Sequence, residues 1–97
     1  MCIVVIGGHE RMKKQYQEVG KNFGYKVKVF TYDTPKLDKC IGCPDYVIMF
    51  TDVVSHKLVN VASKVCKKNN LPSIKLHNSS LNSIKMTFTK LALAGSL

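Results

Sequence analysis

The sequence predicts an α/β fold of three layers around a four-stranded parallel sheet. Short apolar runs alternate along the chain with segments of helical periodicity, a pattern that favours parallel strands joined by right-handed crossovers. Two of these runs are wholly apolar and two carry lysines. We therefore expect the apolar pair at the centre of the sheet and the lysine-bearing pair at its edges, which gives the strand order 2-1-3-4.

The first half of the chain contains two strands and the helix between them. Residues 2–6 form a β-branched apolar run that suits a strand buried on both faces, and residues 25–30 alternate apolar and basic side chains, as an edge strand does. The helix between them ends at Gly24. Its apolar face is formed by residues spaced three or four apart: Met12, Tyr16, Val19 and Phe23.

The second half completes the sheet. One short helical turn is predicted at residues 36–39, a buried strand at 45–50 and an edge strand at 73–77. Helices are predicted from about Ser55 to Asn69 and from about Leu81 to Ala94, because polar capping residues precede both apolar-periodic segments. This order is flavodoxin-like, or Rossmann-like, and residues 1–97 are expected to form a single α/β domain.

Composition limits the class of protein. The chain has 97 residues, of which 45% are hydrophobic, so it resembles a small globular domain and not a disordered segment. No apolar run approaches the about 20 residues that cross a bilayer, and no basic region precedes the first apolar run. We therefore expect neither a membrane span nor a signal peptide, and a cytoplasmic location.

The net charge of +9 is unevenly distributed. All six acidic residues lie within the first 52 positions, and seven lysines follow them without an acid. Such a field favours an anionic partner. A nucleic acid is not the expected one, because the chain has a single arginine, no tryptophan and no recognised DNA-binding motif.

The expected site lies beyond the carboxyl ends of the strands, where the strand order reverses between the first and third strands. All three histidines and the only arginine fall in or next to loops at these ends. A small anion or a nucleotide fragment is the ligand that such loops would bind. The predicted ligand-binding residues are Gly7, Gly8, His9, Arg11, Thr51, Ser55, His56, Asn78, Ser79 and Ser80.

Simpler explanations compete with a ligand at several of these positions. Gly7 and Gly8 resemble a turn that cradles phosphate, yet a tight turn alone would require glycine too, and the full dinucleotide and P-loop patterns are absent. Serine at a helix start is often only a cap, although the three polar residues 78–80 exceed what capping needs. Both interpretations stay open here.

A second hypothesis is a haem- or metal-binding protein. It would use His9 and His56, either within one chain or at a dimer interface, because imidazole is the commonest metal ligand. No particular cofactor is indicated. Cys40 and Cys43 form a C-x-x-C, but no second pair accompanies them, so free thiols in a reducing compartment are expected.

Catalysis is the less favoured interpretation. A nucleophile would have to be Ser55, Ser79, Ser80 or a cysteine, with His56 as its base and Asp52 as a candidate to orient that histidine. Adjacent residues such as Ser55 and His56 usually point apart on a helix. A binding module is therefore expected rather than an enzyme, and a homo-oligomer is expected because so short a chain leaves little wall around a ligand.

Three stretches resemble one bacterial family, the domain of unknown function 2325. They are Val4–His9, Asp45–His56, and Leu71–Pro72 leading into Ser79–Ser80, and the resemblance extends over nearly the whole chain. The C-x-x-C is not part of the family's pattern, and the family implies no enzyme activity. What the resemblance implies is a shared surface formed by Gly7, Gly8, His9, Thr51, Ser55, His56, Ser79 and Ser80.

Overall fold

Strands and helices follow one another in the predicted order. The computed structural model describes residues 2–31, 36–42, 44–52 and 56–95. The strands are β1 (Cys2–Ile6), β2 (Lys26–Phe30), β3 (Tyr46–Phe50) and β4 (Ser73–Leu76). The helices are α1 (Lys13–Asn22), preceded by a 3-10 turn (Glu10–Met12), α2 (Leu37–Ile41), α3 (His56–Asn69) and α4 (Leu81–Gly95).

The four strands form one parallel sheet of order β2-β1-β3-β4, which confirms the predicted order. The wholly apolar strands β1 and β3 lie at the centre, where Ile3–Ile6 and Val47–Phe50 are at most 1% exposed. The lysine-bearing strands β2 and β4 lie at the edges. Lys26, Lys28 and Lys75 are exposed there, as the alternation of apolar and basic residues predicts.

Two apolar layers cover the two faces of the sheet, because side chains of successive strand residues point to opposite faces. On one face Ile3, Val5 and Phe50 pack with α1 and α4, and Phe88 of α4 is fully buried. On the other face α2 and α3 pack against a second set of strand residues. The arrangement is the predicted three-layer α/β fold.

The helix ends show how local sequence stops each element. Gly24 has a φ of +78° and closes α1 in a Schellman motif, in which the Tyr25 N–H donates to the Gly20 carbonyl at 2.8 Å. Asn70, with a φ of +54°, closes α3 in the same way, since the Leu71 N–H donates to the Cys66 carbonyl at 2.9 Å. Both helices end where the sequence predicts.

Other expectations differ in detail. The helix after β1 begins with a 3-10 turn, so the α-helical part starts only at Lys13, and the short helix α2 extends two residues beyond the predicted turn. Cys2, Cys40 and Cys66 are free thiols, whereas Cys43 lies outside the described residues. Among the described helices, none has both the length and the apolar character needed to cross a membrane.

Candidate functional site

Three loops leave the sheet at the carboxyl ends of β1, β3 and β4. Their described parts are residues 7–12, 51–52 and 77–80, which we call the carboxyl rim. The strand order reverses between β1 and β3, because the connection from β1 leads to β2 on one side and the connection from β3 leads to β4 on the other. Crevices of open parallel sheets form at such points.

Both glycines of the first loop are buried and are required by the backbone. Gly7 has a φ of +94° and continues the sheet, its N–H donating to the Phe30 carbonyl at 2.7 Å. Gly8 has a φ of +82°, and a methyl group added to it would lie 2.9 Å from the Tyr16 hydroxyl oxygen and 3.2 Å from the Phe50 ring. Turn geometry and close packing thus account for both glycines.

Tyr16 joins the first loop to the last. Its side chain is fully buried in α1, and its hydroxyl donates to the Ser79 carbonyl oxygen at 2.6 Å. Burial raises the pKa of Tyr16, the Asp52 carboxylate raises it further, and the backbone N–H of His9 partly offsets the rise. The phenol oxygen of Tyr16 therefore interacts with residues of all three loops of the carboxyl rim.

Asp52 joins the second loop to the last. Its Oδ2 accepts hydrogen bonds from the Ser79 N–H at 3.0 Å and from the Ser79 hydroxyl at 3.1 Å. Ser79 itself is 5% exposed. The N–H and the hydroxyl of Ser79 thus donate to a carboxylate of the chain itself. The sequence predicts that an external anion would bind at this place.

A second link between these two loops involves Thr51 and His77. The Thr51 hydroxyl oxygen lies 2.7 Å from Nδ1 of His77 and 3.3 Å from the Leu76 carbonyl oxygen. The Thr51 N–H donates to the same carbonyl at 2.8 Å. The imidazole of His77 thereby contacts a residue of the predicted site, although the sequence predicts no functional role for this histidine.

The start of α4 is capped by the serine next to Ser79. The Ser80 hydroxyl oxygen accepts from the Ser83 N–H at 3.2 Å, the usual capping contact three residues into a helix. The Asn78 side chain in turn accepts from the Ser80 N–H at 2.9 Å. Internal bonding thus uses these polar groups, as the simpler of the two sequence-based explanations requires.

His9 and Arg11 belong to the carboxyl rim, and His56 follows its second loop in the chain. Each is exposed, and none of these side chains makes a hydrogen bond or an ion pair with another described residue. His9 precedes the 3-10 turn without capping it through its side chain, and His56 is the first residue of α3. The neighbouring Ser55, also a predicted site residue, lies outside the described residues.

The metal hypothesis relies on the imidazoles of His9 and His56. Within the described ranges, no three side chains of His, Cys, Asp or Glu cluster closely enough to hold an ion. A metal or haem iron bound by His9 and His56 would thus need further ligands, from solvent or from another subunit.

Tyr16 and Asp52 are the residues whose part in this site the sequence does not predict. Helical periodicity places Tyr16 in the core, and the structure confirms that position. A buried tyrosine hydroxyl nevertheless requires a hydrogen-bond partner, which is the signal that could have drawn attention to it. The sequence offers Asp52 as a partner for His56, whereas the structure shows it on Ser79.

Replacement of the Tyr16 hydroxyl tests this network. The Tyr16→Phe protein is expected to lose about 1–3 kcal/mol in its free energy of unfolding, because the Ser79 carbonyl is left buried without its donor. Urea unfolding at pH 7 measures the loss. Tyr25→Phe is the matched control, since its hydroxyl makes only a 3.4 Å contact with the Phe88 carbonyl and we expect a smaller effect.

The raised pKa of Tyr16 adds a pH dependence to the same pair of proteins. The unfolded tyrosine loses its proton near pH 10, below the folded one, so the native protein loses stability as the pH rises above that value. The Tyr16→Phe protein should lack this part of the alkaline loss. Equal alkaline profiles and equal stabilities of the two proteins would show that the buried hydroxyl does not link the loops.

Comparisons with solved structures concern the fold. A de novo designed Rossmann 2x2 fold protein, solved by solution NMR, matches with a TM-score of 0.67 and 10% sequence identity, over 98% of this chain and 90% of that one. A second de novo designed Rossmann fold protein matches with a TM-score of 0.62 and 12% identity, over 95% and 97% of the two chains. Both support the Rossmann-like topology.

Comparisons with known sequences concern the family. No curated protein matches the chain. The profile of one bacterial family matches residues 2–91, which confirms the resemblance found in the glycine, histidine and serine motifs. The chain therefore belongs to DUF2325, a family described as uncharacterized proteins conserved in bacteria.

Proposed function

We propose that this protein is a cytoplasmic binding module whose carboxyl rim takes a small anion, either free phosphate or the phosphate of a nucleotide fragment. The observation that carries the proposal is the Tyr16–Ser79–Asp52 network. It fixes three loops relative to one another at the point where strand order reverses, a place where α/β sheets commonly bind ligands.

Fixed loops favour binding because less conformational freedom is lost when a ligand arrives. Three exposed side chains on or next to these loops have no hydrogen-bond or ion-pair partner among the described residues: His9, Arg11 and His56. Arginine presents a planar set of donors that matches phosphate oxygens, and the imidazoles of His9 and His56 would orient the ligand through directed hydrogen bonds. The expected ligand contacts are therefore Arg11 and the two histidines.

The charge around the rim is mixed. Glu10 and Asp52 lie on the rim together with Arg11, whereas the chain beyond Asp52 contains lysines and no acid. The net charge of +9 attracts anions over several ångströms, and repulsion from the two acidic residues on the rim limits where an anion can bind. This distribution favours a small anion seated at Arg11 over a large polyanion lying across the rim.

Thermal unfolding in the presence of phosphate tests the proposal. With a Kd of 1 mM, 10 mM inorganic phosphate or adenosine monophosphate would add about 1.4 kcal/mol, a rise in Tm of ~6–11 °C. Sodium chloride at equal ionic strength should give a much smaller rise. The Arg11→Gln protein should lose most of the phosphate effect.

Lys68→Gln serves as the matched control, because Lys68 is an exposed cation on α3, outside the rim, and its replacement removes the same charge. It should retain the full rise in Tm. The proposal fails if chloride stabilises as well as phosphate, or if the two variants lose the effect equally. In either case the rise in Tm would be an effect of net charge alone.

Haem or metal binding by His9 and His56 remains the alternative, and the same protein tests it. If a Soret band appears after haem is added to the original chain and is lost in His9→Ala and His56→Ala, haem binding is the correct function and the phosphate proposal is wrong.

We further propose a homo-oligomer, in which a second copy would supply the wall that three short loops lack. Light scattering with and without phosphate measures that assembly.

A further inference from the structure

We propose that the open edge of β4 and the groove beside it bind an extended, acidic segment of a partner protein, which adds to the sheet as a fifth strand. This surface is separate from the carboxyl rim. The groove has a volume of about 320 Å³ and lies between the last turns of α3 and the strands β3 and β4. Three observations carry the inference: an unpaired strand edge, an apolar groove floor, and two lysines.

The edge of β4 offers backbone groups for pairing. β4 pairs with β3 and with no other strand in the described part of the chain. The carbonyls of Pro72 and Leu76 accept from the β3 side, at 2.9 and 2.8 Å. Because backbone groups of alternate residues in a parallel strand point to opposite edges, those of Ser73 and Lys75 are directed away from β3.

The groove exists because the two faces of β4 are covered unequally. Ile74 and Leu76 pack against the core that α1 and α4 cover, whereas Ser73 and Lys75 are exposed on the other face. The buried side of α3 packs on β1 and β3 instead of β4. The result is an uncovered strip of sheet that runs directly beside the free edge.

The floor of the groove is apolar. Met49 and Cys66 are at most 4% exposed, and the half-buried Leu71 completes the floor. Burial raises the pKa of the Cys66 thiol, so this side chain stays neutral and behaves as a small hydrophobe. An apolar side chain of an added strand would find contacts there, in the manner of strand addition to exposed sheet edges.

The charge of the groove decides which segment fits. Lys67 and Lys75 line it, both are exposed, and no carboxylate is among the lining residues that the structure describes. Together they outweigh the roughly half negative charge at the carboxyl end of α3. A second copy of this chain would bring its own Lys75 against the first, and like charges disfavour that pairing. Lys75 lies on the same face of the sheet as Met49, its register partner, and only every second residue of an added strand faces the groove. A segment is therefore complementary if those groove-facing residues include both carboxylates and an apolar side chain.

An NMR titration with a short peptide tests the inference. The probe is acetylated and amidated Glu-Thr-Val-Thr-Glu, whose glutamates and valine share one face, added to the isotope-labelled protein. We expect amide shifts at Ser73 and Lys75, together with slower hydrogen exchange of these two amides, because pairing removes them from water. The same peptide with its three central residues N-methylated, which blocks pairing through either edge, should bind at least tenfold more weakly, as should Lys-Thr-Val-Thr-Lys.

Charge reversal provides matched variants. Lys75→Glu should weaken binding of the acidic probe at least tenfold, and Lys64→Glu, an exposed α3 position that does not line the groove, should leave it nearly unchanged. The inference is wrong if the N-methylated peptide binds equally well, if both variants lose binding equally, or if light scattering shows a self-assembly that Lys75→Glu changes and Lys64→Glu does not. Shifts at Gly8 and Ser79 alone would also overturn it, while leaving the proposal for the carboxyl rim intact.

Discussion

The Gly8→Ala protein is expected to be about 2–5 kcal/mol less stable than the original chain. Two costs combine. A φ of +82° is unfavourable for alanine, and the new methyl group would lie 2.9 Å from the Tyr16 hydroxyl oxygen and 3.2 Å from the Phe50 ring. Small domains have a total stability of about 5–15 kcal/mol, so much of it would be lost. Urea unfolding at 25 °C measures the change.

Gly24→Ala separates the two costs. Its φ of +78° is similarly unfavourable, yet nothing lies within 4 Å of the added methyl group, so we expect a loss of about 1 kcal/mol only. The difference between the two variants then measures the crowding at Tyr16. If Gly8→Ala were as stable as Gly24→Ala and lost only phosphate binding, the glycine would serve a ligand and not the packing.

Removal of the charge on Asp52 is expected to strengthen phosphate binding at the carboxyl rim about 3- to 100-fold. A carboxylate about 6 Å from a bound anion opposes it by roughly 0.7 kcal/mol in water and about 3 kcal/mol at an effective dielectric constant of 20. Asp52→Asn removes this repulsion and keeps an oxygen that can accept from Ser79. The measurement is the Kd for inorganic phosphate by calorimetry, at constant ionic strength.

Glu18→Gln is the matched control, because it removes the same charge from an exposed position on α1, beyond the carboxyl rim. It should change the Kd less than twofold. The Asp52→Asn protein itself should be about 1 kcal/mol less stable, since charged hydrogen bonds become neutral ones. Weaker phosphate binding in Asp52→Asn would mean that this carboxylate supports the site by holding Ser79, and does not compete with the ligand.

Strand order and strand identity could be predicted because they depend on composition within each segment. Wholly apolar runs such as Cys2–Ile6 suit only strands with two buried faces, and alternation with lysine suits an edge. The helix ends at Gly24 and Asn70 were predictable for the same reason, since a left-handed cap favours these residue types. The 3-10 turn before Lys13 has no such local signature.

The candidate site was predictable as a place and not as a set of contacts. Parallel topology alone brings the loops after β1, β3 and β4 to one edge of the sheet, so their histidines and serines could be located from the sequence. Which donors remain available there depends on pairs far apart in the chain. Ser79 is hydrogen-bonded to Asp52, which is 27 residues away, and to Tyr16, which is 63 residues away.

Hydrophobic periodicity and short motifs are local properties of the chain, so they were sufficient to predict the layer arrangement, the central and edge strands, and the family. The use of the polar groups depends on tertiary contacts. The Asp52 carboxylate accepts from the donors of Ser79, the Tyr16 hydroxyl is buried between two loops, and no described strand pairs with the outer edge of β4 beside the basic groove. These outcomes depend on the distances between segments that only folding brings together.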